Sequence, residues 1–428
     1  MIKIIQQRCL SVFSVCIYGL AFSFTSTTMQ AAEFDPFKVI SIEGEDVAKA
    51  LALDIQELSL AAIIDGTMEP IPFQIDEYNE GGAVYFEGWD VPLQGKLGVF
   101  DERDRLMFLN KDAGPRLKKE RHDGEIIAEI ELSEENQPKR FVYLLKGSRL
   151  RSDENYVRYS AEQGLVETDF YSVNYDQKNH LVWKGFEVFS YQNKAPFDEM
   201  KIRWSSGLLT ASTRVTLTNE DIVAEPRGVR VGPIRNTTQL LVTLYIAEVP
   251  ALTASLQLHH YPRSVIYDMR VVTPEFRRAM LVEPKLAMSL DGNELFGAYV
   301  RTAAGPKQMS VVDGSVNSVE QEMINAGVER INNWMWTSTQ KGLDVLAFFD
   351  FMGNTDEPVS LVYHDDINKH EDTERYKGQL PNFGYQIDHF PEKGLFGFAI
   401  SLYVSDGFSG EPEDFSLAIR SMPDIRVY

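Results

Sequence analysis

The chain has 428 residues, 44% of them hydrophobic and 25% charged, a composition that buries a core and argues against disorder. Its formal charge of −21 opposes binding to phosphate backbones and anionic membrane surfaces, because the long-range field has the wrong sign. Nucleic acid is therefore not an expected partner, whereas cations, neutral sugars and basic patches on other proteins stay open.

Residues 1–32 read as a secretory signal peptide. Lys3 and Arg8 flank and precede an uncharged apolar run from Cys9 to Phe24, and small and polar residues then end at Ala31-Ala32. The run is shorter than the roughly 20 apolar residues a membrane span needs. Cys9 and Cys16, the two cysteines of the chain, both fall in this segment, so the exported chain is expected to lack disulfides and thiolate sites. A soluble periplasmic or secreted protein is the expectation, with no membrane span in the mature chain.

From Val39 the dominant period is two, as in half-buried strands. Ala50 to Ile55 and Ala61 to Ile64 read as strands, and Asp65-Gly66 as a hairpin turn into Pro70 to Ile75. Pro70 and Pro72 lack a backbone donor and belong on a sheet edge. Ile71, Phe73 and Ile75 share one face, with Gln74 and Asp76 on the other. Trp89 to Val99 looks extended, Leu106 to Leu109 reads as a buried strand, and Glu125 to Leu132 with Phe141 to Leu145 closes a first unit over residues 33–150.

Residues 165–428 repeat the alternation over a longer span. Strands are expected from Leu181 to Tyr191 through to Phe396 to Val404 and Phe415 to Ile419, with a hairpin over Leu256 to His260 and Val265 to Val272. One helix is expected, with Ser318 as N-cap and an apolar face running through Met323 and Ile331. A dozen strands without intervening helices predict an all-β fold: a small N-terminal antiparallel β-sandwich, then a larger β-sandwich or supersandwich with one or two short helices.

Three groups of side chains carry chemistry. Asp76, Asp101 and Asp104 are hard oxygen ligands that suit calcium if the turns bring them together, although solvated turn carboxylates are the commoner outcome. Tyr85, Phe86 and Trp89 suit a platform for neutral sugars, with a small loop core as the bland alternative. His259, His260, Tyr261 and Arg263 suit abstraction of a proton beside a uronic acid, a base next to a cation that neutralises the carboxylate. In a strand His259 and Tyr261 face one way and His260 the other. A groove joining this hairpin to Arg235 or Trp204 would favour such a reaction. His364-Asp365-Asp366 and His370-Glu371-Asp372 have the wrong spacing for a helical metal motif, and there is no GxSxG elbow, P-loop or dinucleotide fingerprint.

Ile71 to Glu77 followed by Asp104 to Gly114 is similar to a pattern of uncharacterised secreted bacterial β-proteins, a P-x-Q-x-D strand before a D-x-L-x-F strand. Arg230 to Arg235, with Tyr261 to Val272 after it, loosely resembles the central strands of galactose-mutarotase-like supersandwiches of carbohydrate-active enzymes. The export signal, the strand pattern and the absence of a recognisable catalytic set lead to the expectation of an exported, non-catalytic binding or accessory protein for carbohydrate or another envelope protein. Its alternative is a polysaccharide-processing, lyase-like enzyme.

Overall fold

The computed structural model describes residues 37–428 apart from 90, 119–122, 192–194, 273–277, 294, 353–358, 369–379, 391–394 and 409. The leader segment 1–32, Asp90 and the His370-Glu371-Asp372 cluster lie outside the described residues. Among the described residues the chain is a set of antiparallel sheets with two α-helices. It is an all-β protein of sandwich type.

The first layer pair is built from alternation. Strand Val39–Glu43 pairs with Arg105–Leu109, which pairs with Gln74–Asp76. Ile40, Ile42, Leu106 and Phe108 point to one side and pack against Leu58, Leu60, Ile130, Val142 and Leu144 of a five-stranded sheet. Strand Thr67–Pro70 is the edge of that sheet, where its proline costs no ladder bond. The other edge is the last strand of the chain: Asp424–Val427 pairs with residues 130–133. The last strand of the expected 165–428 unit thus adds to the sheet of the N-terminal pair.

The second layer pair is larger. A five-stranded sheet and a nine-stranded sheet, with a small four-stranded sheet beside them, enclose one core that includes Trp204, Met288, Tyr267, Phe349, Phe398 and Ile400. The expected hairpin forms, with His260 opposite Val265 and Ser255 opposite Arg270. A third, smaller cluster joins the two pairs: Met107 and Leu109, on the reverse of the strand that carries Leu106 and Phe108, meet Tyr156 and Ile234.

Four local expectations are corrected. Ala50 to Ile55 is not a strand but lies between short 3-10 turns, Ala48–Ala50 and Ile55–Glu57, the second started by Asp54, whose carboxylate accepts from Gln56 N–H. Among its described residues Trp89 to Val99 forms no strand and makes isolated bridges such as Asn79 with Leu93. The central helix is Ser318–Ala326, capped by Asn317 rather than Ser318, in a capping box with Glu320; it stops at Gly327, whose φ of +69° ends it, and leaves Ile331 exposed. Phe415 to Ile419 lies in a helix, Pro412–Arg420, because Pro412 opens the first turn, Glu413 and Asp414 suit the N-terminal dipole, and Phe415 and Ala418 recur at helical spacing on the buried side.

Candidate functional site

A cleft of about 320 Å³ opens between the two layer pairs. One wall is the outer face of the small N-terminal sheet, carrying Val39, Ser41, Arg105 and Met107. The floor is the outer face of three neighbouring strands of the nine-stranded sheet. Alternation there sends Val265, Ile400 and Phe349 into the core and Ser264, Ile266, Ser401, Tyr403 and Asp350 into the cleft. The C-terminal helix closes the remaining side with Ile419 and Arg420. Its size falls at the lower end of ligand clefts, roughly 300–1,000 Å³.

The two sequence patches that looked unrelated meet at its back. Arg235 is 3% exposed and Asp76 1% exposed, and the guanidinium binds the carboxylate through both Nε, at 3.1 Å, and Nη2. Gln74 completes the join: its amide nitrogen donates to both Asp76 oxygens at 2.9 Å, and its oxygen accepts from Arg235 N–H at 2.9 Å. Gly232 makes the approach possible, since a Cβ there would lie 2.1 Å from Gln74 Oε1. Arg235 Nη1 also donates to the Tyr261 hydroxyl at 2.8 Å, and Nη2 to Tyr78 Oη at 3.2 Å. Burial raises the Tyr261 hydroxyl above its ordinary value, with the Arg235 charge opposing that shift.

Of the hairpin residues, Tyr261 and Arg263 line the cleft and the histidines do not. His260 is fully buried between tyrosines, Nδ1 3.2 Å from Tyr171 Oη and Nε2 3.0 Å from Tyr175 Oη. Tyr171 Oη donates to the Tyr261 carbonyl at 2.8 Å, so the consistent arrangement has His260 donating from Nδ1 and accepting at Nε2. Burial, reinforced by His180 and His259, pushes His260 down to about 3, so it is a neutral core group. His259 sits behind Arg235, bonded through Nδ1 to Thr237 Oγ1 at 3.0 Å, and burial lowers it too. Trp204 is in the core, 4% exposed, and takes no part in the cleft.

The aromatic loop docks on the nine-stranded sheet instead of standing free. Gln257 brackets Val84, accepting from its N–H at 3.0 Å and donating to its carbonyl at 2.7 Å, while Arg270 donates to the carbonyls of Gly81 and Gly82. Phe86 lies against Gly228, where a Cβ would come within 2.8 Å of the ring. Tyr85, Phe86 and Trp89 are half-buried and outside the cleft lining.

The three aspartates do not converge. Asp76 is engaged by Arg235; Asp101 accepts from Lys96 N–H at 2.6 Å; Asp104 accepts from Asp101 N–H at 2.8 Å. Among the described residues no three His, Cys, Asp or Glu side chains are grouped to hold a metal ion. Burial, with Glu77 and Asp101 nearby, raises Asp104 to about 7. No helix of the described residues is long and apolar enough to cross a membrane.

Sequence reasoning missed Lys38, Arg105, Tyr403 and Arg420 as cleft residues, because the wall they complete is assembled from both ends of the chain. Only the outward parity of Ser401 and Tyr403 on their strand was there to find them.

The fold and cleft define an all-β sandwich protein with a cation-rich interlayer groove. No family model and no curated protein matches the chain. Among solved structures, it is similar to an alpha-mannosidase from Enterococcus faecalis V583, at 10% identity over 93% of this chain and 45% of that one, TM-score 0.47. It is likewise similar to a protein in the glycosyl hydrolase family 38 from Enterococcus faecalis, at 9% identity over 93% of this chain and 46% of that one, TM-score 0.47. The chain spans less than half the length of either.

Proposed function

We propose that this is an exported, non-catalytic binding or accessory protein that holds a saccharide in the cleft between its layer pairs. The observation that carries the reading is the convergence of Tyr261, Arg263 and Arg235 with the hydroxyls of Ser264, Ser401 and Tyr403 around one groove. Such a mixture of hydroxyls, rings and fixed cations matches a ligand that presents many hydroxyls on a compact frame, with orientation set by a few placed polar groups. Export to the periplasm or outside is part of the proposal and rests on the leader-like residues 1–32.

A second reading, a lyase acting on a uronic acid, draws on one contact: Tyr261 Oη lies 2.8 Å from Arg235 Nη1, a base candidate beside a cation. His259 and His260, 6% and 0% exposed, line no part of the cleft and are left out of this reading. Calorimetric titration against a panel of neutral and acidic oligosaccharides, with ultraviolet detection of unsaturated products, separates the readings. Binding without product supports the first; product release that is lost in Tyr261→Phe supports the second; no binding to any member refutes both.

A further inference from the structure

The arginines of the cleft are each stacked on an aromatic ring. Arg263 lies over Phe170 at 4.0 Å and Phe37 at 4.9 Å, Arg105 over Tyr78 at 4.8 Å, Arg420 over Phe348 at 4.3 Å and Arg235 over Tyr261 at 5.5 Å. A ring face already covered by a guanidinium is closed to the C–H face of a neutral sugar. What it offers instead is a planar cation held flat, with its N–H edge fixed for a planar acceptor.

Three of these arginines are already paired with carboxylates: Arg105 with Glu43 at 3.0 Å, Arg235 with Asp76, and Arg420 with Asp350 at 3.3 Å. Arg263 has no carboxylate partner among the described residues, and its Nε is buried without an acceptor. Beside it, on the neighbouring strand, Tyr403 is the cross-strand partner of Ser264, and its hydroxyl is also buried without a hydrogen bond. Arg263 and Tyr403 both line the one groove, and a polar atom left unpaired in the interior is costly.

We infer that Arg263 and Tyr403 form a carboxylate subsite, so that the saccharide held in the cleft is an acidic one carrying a uronate group. The inference rests on the carbohydrate reading above. The guanidinium fork of Arg263 takes the carboxylate, and the Tyr403 hydroxyl donates a further bond to it. In a chain of net charge −21 this is a local reversal of sign, which draws the anionic residue of the sugar to one place and not to the general surface.

The test is calorimetric titration of a galacturonate tetrasaccharide, its methyl ester and a neutral galactan tetrasaccharide into the full chain, Arg263→Gln, Arg263→Lys and Tyr403→Phe. The expected result is at least tenfold tighter binding of the acid than of its ester. Arg263→Gln should abolish that ratio, Arg263→Lys should restore part of it, and Tyr403→Phe should reduce it severalfold. If Arg263→Gln fails to fold, as judged by its melting curve, Tyr403→Phe reads the same ratio. Equal binding of acid and ester, or an unchanged ratio in the folded variants, overturns the subsite while leaving the carbohydrate reading in place. Binding of none of the three sugars overturns both.

Discussion

Asp76 and Arg235, 159 residues apart in the chain, form a buried ion pair at the join between the two layer pairs. Gln74 ties both partners together, and Tyr78 and Tyr261 hold the far side of the guanidinium. The cleft is therefore positioned by a charge pair and not by packing alone. Removing one member leaves the other charged and buried, which costs about 3–5 kcal/mol. Asp76→Ala and Arg235→Met should each lower the urea midpoint strongly, and the double variant should be less destabilised than the sum of the two. Additive losses would show that the pair does not act as a unit.

Gly232→Ala tests the same join from the backbone side. Its Cβ would lie 2.1 Å from Gln74 Oε1, and Gln74 is not free to move because it is bonded to Asp76 and to Arg235. Overpacking of this kind costs about 1–3 kcal/mol. Adding Gln74→Ala should recover part of the loss in thermal unfolding, since the collision is with that side chain.

His260 gives the protein an acid limit. The folded state holds it neutral, pushed down to about 3 by burial and by His180 and His259, whereas an exposed histidine titrates near 6.5. The folded state thus binds fewer protons. Its stabilising contribution is complete above about pH 6.5 and is lost as pH falls from there toward 3. Melting temperature should decline over that interval, and the slope should be shallower in His260→Gln.

Asp104 acts in the opposite sense. Burial first, then Glu77 and Asp101, raise it to about 7, so the folded state binds its proton more tightly than the unfolded chain does. That stabilises the fold at low pH, and the benefit disappears as pH rises from about 4 through 7. Asp104→Asn should stabilise the protein at pH 8 by on the order of 1 kcal/mol and should gain nothing at pH 4, as read by denaturant titration.

Much of the fold was legible where alternation is strict. Leu106 and Phe108 face one core and Met107 and Leu109 another, which is the reading that period two gives for a strand buried on both faces. The helix Pro412–Arg420 was not, because Phe415, Leu417 and Ile419 also alternate; Leu417 is 62% exposed, so one of the three apolar residues was misleading. Among the proposed site residues, Tyr261 and Arg263 share the cleft, but the adjacent pair His259-His260 carried no such information. The sheet buries one histidine between tyrosines and the other behind Arg235, and only the tertiary arrangement shows what covers a strand's outer face. The carboxylates followed the same rule: Asp76 is near Asp101 and Asp104 in sequence, yet its partner is Arg235.

The most direct test of the account is hydrogen–deuterium exchange of the full chain with and without a saturating galacturonate oligosaccharide. Slowed exchange in the segments 37–41, 261–266 and 401–404, with no change in the loop 83–89, is the predicted result. Protection confined to the loop of Tyr85, Phe86 and Trp89, or protection nowhere, would contradict it.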